Sequence, residues 1–259
     1  MGTLPAVFAL AARLQIRSRK TFVLALVSAL PVAGSMLAAS VIRLRFGEGI
    51  STGFEQVSVV MGLMYMYLIL VVPLFYATAL IGDEVEDKTI TYLFVRPVPR
   101  AIIYLGKYLA GVLAVSLLIF PSAVLSFMIL TSVDPAEEIF PHLIVILQDL
   151  AVLTLGTLAY SSLFGLMGVA LKRPLLWGIL FCLGWESFVT YIPGVIHRFT
   201  IMHYLQSLLP HPSGQRGILS LFQSVTPAPT CVLTLLLVAA ALLALSCWVV
   251  SHREYVLEA

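Results

Sequence analysis

Long apolar runs separated by short polar segments dominate the chain. A transmembrane helix needs about 20 predominantly apolar residues, and six runs qualify as predicted spans. The pattern therefore predicts an all-α integral membrane protein that forms a single domain over residues 1–259. We expect kinks at Pro73 and Pro121, because proline removes a backbone donor and crowds the preceding turn. The six predicted spans are residues 21–42, 57–81, 101–131, 143–171, 175–191 and 230–250.

The composition agrees with a lipid environment. Of the 259 residues, 60% are hydrophobic and 11% are charged, whereas soluble proteins carry about 25% charged residues. The net charge of +2 and the lack of a basic run give no reason to expect a nucleic-acid partner. The three cysteines lie in or beside apolar runs, and an odd number argues against a disulfide framework.

Residues 1–20 combine apolar positions at helical spacing with Arg13 and Arg17. This pattern is typical of an amphipathic helix in the membrane interface; the alternative is a disordered basic tail. A cleaved signal is disfavoured, because the following run is long enough to span and shows no clear cleavage site. The apolar positions are Leu4, Val7, Phe8, Ala11 and Leu14.

Lysine and arginine are distributed unevenly between the two sides of the predicted bundle. If the N-terminus is cytoplasmic, the cytoplasmic segments hold most of the 15 basic residues. Positive charge favours the cytoplasmic side. We therefore expect an inner or plasma membrane protein with both termini in the cytoplasm.

Residues 186–229 are too polar to cross lipid but remain amphipathic, so we expect outer re-entrant helices shielded by protein. Glu186 is costly at this depth, by about 2.5–3.5 kcal/mol on insertion scales. It either shapes an outer gate, reaches interfacial water or caps a re-entrant helix. His197, His203 and His211 are expected at the surface or in the membrane interface, because their spacing does not suit a helical metal site. No metal is predicted.

The charged segment between the second and third spans carries an apolar stripe that a simple connection does not need. Ile90, Leu93 and Phe94 keep helical spacing between charged flanks. Such a stripe predicts that residues 83–96 form a short cytoplasmic helix lying in a groove of another protein. The alternative is a solvated loop that only follows the charge rule.

The same segment carries signals for helix boundaries. Asp83 and Glu86 are three residues apart, as in a capping pair. Pro97 ends the predicted helix, because the residue before a proline avoids helical backbone. Arg100 marks the entry of the third span, and Lys107 is expected to extend outward to the membrane surface.

This stretch resembles a pattern of ABC-2 type permeases. In that family an acidic residue, a Gly-Thr-Leu-like step, Pro-Val-Ser-Arg and a later Gly-Lys follow the second span. The predicted layout is also similar across nearly the whole chain, so the chain resembles the membrane subunit of an ABC-2 type ABC transporter. The matching residues are Glu84 and Glu86, Lys88-Thr89-Ile90 (with Lys88 where many members have glycine), Pro97-Val98-Pro99-Arg100 and Gly106-Lys107.

The resemblance implies a permease of an ATP-driven exporter. Residues 83–96 are then the coupling helix, seated in a cleft of a separate ABC ATPase, and a second permease subunit, identical or related, completes a dimer. The chain has no Gly-x-x-x-x-Gly-Lys-Ser/Thr motif, so it is expected to be no enzyme and to hold no cofactor; ATP and Mg belong to the partner. The coupling residues are expected to be Asp83, Glu84, Glu86, Thr89, Ile90, Leu93, Phe94, Pro97, Arg100 and Lys107.

Two other classes of protein remain open. One is a membrane scaffold or assembly protein without transport. The other is a polytopic membrane enzyme, which the lack of His-Glu-x-x-His and Gly-x-Ser-x-Gly motifs disfavours. The spans identify no substrate. Small residues in the fourth span predict close helix packing, with the subunit interior as the first expectation; they are Gly156, Ser161, Gly165 and Gly168.

Overall fold

The computed structural model describes residues 3–46, 51–86, 98–132, 139–186, 189, 196–209 and 226–252, without the side chains of helical residues such as 51–61 and 83–86. Over these ranges the chain is helical and forms no strand. A π-helical turn, Phe181–Glu186, follows α7, and a 3-10 turn, Ile196–Phe199, precedes α8. The α-helices are α1 (Thr3–Ile16), α2 (Arg19–Ser28), α3 (Leu30–Phe46), α4 (Ser51–Glu86), α5 (Arg100–Thr131), α6 (Ile139–Ala170), α7 (Pro174–Leu180), α8 (Ile201–Leu208) and α9 (Ala228–His252).

Within the described residues, five helical stretches are long and apolar enough to cross a membrane, and they correspond to five of the six predicted spans. The span predicted over residues 175–191 stays a prediction. Its described helical part has seven α-helical and six π-helical residues. These rise about 20 Å, less than the roughly 30 Å of hydrocarbon in a bilayer. The five stretches are Arg19–Val41, Met64–Gly82, Arg100–Thr131, Ile144–Ala170 and Ala228–His252.

Helices α4 and α6 form the centre of the bundle. Buried residues make up 67% of the most apolar part of Met64–Gly82 and 56% of that of Ile144–Ala170, but only 17% of that of Ala228–His252. The two central helices cross closely at Gly168, where an added Cβ would lie 2.9 Å from the Thr78 carbonyl oxygen. At Gly156 an added Cβ would instead meet the end of the Ile69 side chain on α4. The predicted close packing of the fourth span within the subunit is confirmed.

The first span is interrupted at Ala29, which separates α2 from α3. This break lies two residues before Pro31, which lacks an N–H group and whose ring crowds the preceding turn. In contrast, α4 and α5 continue as helices through Pro73 and Pro121. The interruption found in the described spans therefore lies beside a proline at which we expected no kink, and the kinks expected at Pro73 and Pro121 stay predictions.

A hydroxyl on α5 binds the backbone next to this break. Ser122 donates a hydrogen bond to the carbonyl of Ser28, the last residue of α2. Ser122 is buried, and its hydroxyl also lies 3.2 Å from the Tyr65 hydroxyl of α4. One side chain thus joins α2, α4 and α5 at the point where the first span is interrupted.

We expect Ser122→Ala to lower stability by about 1 kcal/mol, the typical contribution of a buried hydrogen bond. Thermal unfolding of the purified chain in detergent measures the change. Ser116→Ala on the same helix is the matched control, because the Ser116 hydroxyl bonds the Val112 carbonyl of its own helix at 2.8 Å. Equal losses in the two variants would contradict a special role for Ser122.

Candidate functional site at the basic end of the bundle

One end of the bundle collects basic residues from several helices. Here α2 begins, α4 ends and α5 begins, and an added Cβ on Gly82 would lie 3.8 Å from Pro174 of α7. The connection between α6 and α7 therefore lies at this end as well. We call it the basic end; its described basic residues include Arg13, Arg17, Arg19, Lys20, Arg100, Lys107, Lys172 and Arg173.

The acidic residues of the predicted coupling helix lie at the end of α4. This helix runs without interruption to Glu86, so residues 83–86 form its last turn. They do not begin a separate helix, and the capping role expected for Asp83 and Glu86 is wrong. Glu84 lies in this last turn too. The remaining connection is outside the described residues, and with it the predictions for Thr89, Ile90, Leu93, Phe94 and Pro97.

Arg100 and Lys107 lie on the first turns of α5. Arg100 is its first residue, directly after Pro99. The Lys107 ammonium group donates a hydrogen bond of 2.9 Å to the carbonyl oxygen of Leu80 on α4. We expected Lys107 to extend to the membrane surface, but it reaches across to the neighbouring helix. Its bond holds the start of α5 against the last two turns of α4.

Gly106, the neighbour of Lys107, makes room for α1. An added Cβ at Gly106 would lie 2.8 Å from Cγ1 of Val7 and 3.3 Å from the backbone nitrogen of Phe8. One turn further along α5, Ala110 packs against Ala11 and Ala12 of α1. The Gly-Lys pair thus has two structural tasks, because the glycine accommodates α1 and the lysine binds α4.

The bend between α1 and α2 is attached to α4 through hydroxyl groups. The Thr21 N–H donates to the Ser18 hydroxyl at 3.3 Å, which caps α2. The Thr21 hydroxyl donates to the Gln15 carbonyl at the end of α1. From α4, the Tyr76 hydroxyl donates to Thr21 Oγ1 at 2.7 Å. Spacing alone could not identify these residues, because Tyr76 and Thr21 are 55 positions apart.

Glu186 lies away from the basic end and caps α8. Its side chain is 1% exposed. Oε1 accepts the Ile201 N–H at 3.1 Å and Oε2 accepts the Met202 N–H at 3.2 Å. The third N–H of the helix, that of His203, is bound by the Thr200 hydroxyl at 3.3 Å. All three donors of the first turn are satisfied, and the carboxylate lies at the end of the helix dipole that favours negative charge.

Of the three roles open to Glu186, capping is the one that the geometry supports. The buried Tyr160 of α6 lies next to the carboxylate and interacts with it electrostatically. Leu205 of α8 is fully buried, and an added Cβ on Gly156 would lie 3.0 Å from its Cδ1. Glu186 thereby fixes a short helix against the central helix α6.

The position predicted for His203 is wrong, because this side chain is buried in the protein. Its Nε2 lies 3.2 Å from the Thr226 hydroxyl, just before α9. The polar ring therefore links α8 to the start of the last helix. Of the other two histidines, the side chain of His197 and the whole of His211 lie outside the described residues.

Apolar helices packed around two buried central helices define a polytopic α-helical membrane protein. The family described as ABC-2 family transporter protein matches residues 14–184. This is more than half of the 259 residues, so the chain belongs to the ABC-2 transporter family. The matched part includes the basic end and stops two residues before Glu186. No curated protein matches the sequence.

Membership in this family makes the chain a membrane subunit that is not itself catalytic. It also implies an ABC ATPase as partner and a membrane setting.

Proposed function

We propose that the chain is the permease subunit of an ATP-driven ABC exporter and that a separate ATPase subunit docks at the basic end. The observation that carries this proposal is the course of the chain there. Residues 87–99 connect the end of α4 to the start of α5, and Lys107 binds α5 to α4 close to that connection. A force applied to the connection therefore acts on both helices at once.

The packing of the central helices supports transmission of this force. At Gly168 the backbone of α6 lies directly against that of α4, because an added Cβ would be 2.9 Å from the Thr78 oxygen and 3.1 Å from the Ala77 oxygen. No side chain of Gly168 stands between the helices to absorb a displacement. Closely packed interiors transmit strain, so a shift of α4 moves α6 as well.

The basic end faces the cytoplasm in this proposal, and both termini are cytoplasmic in the cell membrane. The basic residues of the connections support this orientation. Docking is assigned to the coupling residues predicted above, from Asp83 to Pro97, with Arg100 and Lys107 at the base of α5. ATP and Mg bind the ATPase subunit.

The end of the bundle opposite the basic end carries the outer gate in this proposal. Pro174–Glu186 rises only about 20 Å from the basic end, so α8 begins inside the depth of a bilayer of about 30 Å. We assign α8 and its cap Glu186 to the outer gate, as a re-entrant element. A second permease subunit, identical or related, completes the transporter. On α9, Leu233, Leu237 and Trp248 are 60–61% exposed and offer an apolar face for lipid or that subunit.

Replacing Glu84, Thr89 and Leu93 together with alanine tests the docking. We expect the affinity for the ATPase to fall by more than about tenfold, because single interface hot spots contribute 2 kcal/mol or more. Copurification of the tagged chain with its partner ABC ATPase, and the ATP turnover of that complex, measure the effect.

Met128→Ala is the control for this experiment, because Met128 is 62% exposed near the other end of α5. It should leave both association and turnover unchanged. A triple variant that binds and stimulates the ATPase like the wild type would remove the docking assignment.

A further inference from the structure

Three helices of the bundle meet at Leu80, a buried residue of α4. Its carbonyl oxygen accepts the bond from the Lys107 ammonium group of α5. Its side chain lies beside two glycines, because an added Cβ would be 3.4 Å from Leu80 Cδ2 at Gly111 of α5 and 3.7 Å from Leu80 Cδ1 at Gly165 of α6. Leu80 is less than two turns from the end of α4 at Glu86, so the three helices meet close to the connection between α4 and α5.

Tyr108, the residue after Lys107, binds α5 to α6. Its side chain is 3% exposed. Its hydroxyl lies 3.1 Å from the Leu158 carbonyl oxygen and 2.9 Å from the Ser162 hydroxyl, which is itself 2.8 Å from the same carbonyl. Each hydroxyl carries one proton, so one of them donates to the carbonyl while the other donates to its neighbouring hydroxyl. Either arrangement joins the two helices by hydrogen bonds.

Lys107 and Tyr108 together attach α5 to both central helices. Successive residues of an α-helix point about 100° apart, so the two side chains can reach α4 and α6 from the same turn. Tyr104, one turn before Tyr108, also faces α6, because it is fully buried and an added Cβ on Gly165 would overlap its hydroxyl. The start of α5 is therefore fixed between α4 and α6.

The bonds of Tyr108 differ in kind from the contact between α4 and α6 at Gly168. Atoms in van der Waals contact resist closer approach strongly, but each pair attracts only weakly when the atoms are drawn apart. A hydrogen bond has a preferred distance and a preferred direction, so it resists displacement both ways. The contact at Gly168 transmits a push from α4 to α6, whereas the bonds of Tyr108 also transmit a pull from α5.

We propose that Tyr108 is a positioning residue whose hydroxyl makes α6 follow α5 in both directions when the ATPase moves the connection. This inference rests on the proposed docking of an ATPase at the basic end, and it assigns the transmission from α5 to α6 to one hydroxyl group. Tyr108 is buried between helices and is not among the residues assigned to docking. Loss of its hydroxyl should therefore leave association with the ATPase intact and change only how the helices respond.

Tyr108→Phe tests the inference, because it removes the hydroxyl and keeps the ring. Pulsed electron paramagnetic resonance measures the distance between spin labels at Met128→Cys on α5 and Leu147→Cys on α6, two exposed positions. Cys247 is replaced by alanine, and the other two native cysteines are buried. The distance is compared between the nucleotide-free complex with the partner ABC ATPase and the same complex trapped with ATP and vanadate.

With Tyr108 in place, the two labels should keep the same distance in both states, because α5 and α6 move together. In Tyr108→Phe the distance should change by about 2 Å between the states, the size of helix shifts in switching proteins. The amount of copurified ATPase and the KM for ATP should not change, because the docking residues are intact.

Tyr65→Phe is the matched control. It also removes a tyrosine hydroxyl that is bonded between helices, since Tyr65 donates to the Ser126 hydroxyl at 2.8 Å, but this bond joins α4 to α5. The control should lower the thermal midpoint about as much as Tyr108→Phe and keep the label distance constant.

The outcomes separate this inference from the proposed function. A constant label distance in ATPase-bound Tyr108→Phe, a change already present with Tyr108 in place, or an equal change in Tyr65→Phe would overturn the inference and leave the docking proposal standing. A wild-type chain that binds no ABC ATPase would overturn both.

Discussion

Gly168→Val is expected to remove most of the folded protein from a detergent extract. The added side chain would meet the carbonyl oxygens of Thr78 and Ala77, at 2.9 Å and 3.1 Å from Cβ alone. Overpacking a core costs about 1–3 kcal/mol and occasionally more. We expect the upper end or beyond, because backbone atoms of a central helix cannot rotate aside as a side chain can. Size-exclusion chromatography of a fluorescent fusion and its thermal midpoint give the result.

Gly184→Val serves as the control for this substitution. An added Cβ at Gly184 meets nothing within 4 Å, so the same change in side-chain size should leave the elution profile and the midpoint nearly unchanged. If Gly168→Val were as well tolerated as Gly184→Val, the two central helices could not be in backbone contact.

Glu186→Ala is expected to open the first turn of α8. The N–H groups of Ile201 and Met202 lose their acceptors, and a buried donor left unpaired costs about 1–3 kcal/mol. Glu186→Gln should have a smaller effect, because one amide oxygen still accepts a bond while the amide N–H₂ opposes the other donor. Hydrogen exchange of the Ile201 and Met202 amides should therefore accelerate more in Glu186→Ala than in Glu186→Gln.

Thr200→Ala provides the comparison within the same cap. It removes only the acceptor of the His203 N–H, and losing an N-cap of this kind costs about 0.5–2 kcal/mol. The alanine variant of Glu186 should therefore be the more destabilised of the two in thermal unfolding. Unchanged exchange at Ile201 and Met202 in that variant would show that Glu186 is not their cap.

The positions of five of the six predicted spans could be read from the sequence, because each spanning helix must be apolar along its whole length in lipid. The position of the helix break at Ala29 could not be predicted. Pro31, Pro73 and Pro121 all lack an N–H group, yet the helices continue through the last two. Whether a helix breaks near a proline depends on the neighbouring helices. The bond from Ser122 to the Ser28 carbonyl, beside the break at Ala29, illustrates this.

Lys107 and Glu186 could be recognised as unusual from the sequence, but their hydrogen-bond partners could not be predicted. Lys107 and Leu80 are 27 positions apart, and Glu186 and Ile201 are 15 apart. Neither spacing follows a helical period, so both bonds depend on how separate elements pack. His203 was expected at the surface or in the membrane interface because the spacing of the histidines does not suit a helical metal site, whereas the Thr226 hydroxyl from another segment allows it to be buried.

The cap on α8 has a consequence for how the protein is made. Glu186 finds its hydrogen-bond donors 15 and 16 residues later in the chain. When this glutamate first reaches the membrane, those donors are still inside the ribosome. A lone charge in the bilayer costs about 2.5–3.5 kcal/mol on insertion scales. The segment that carries Glu186 therefore reaches its stable position in the membrane only together with α8. The translocon would release the two segments as a pair and not one at a time.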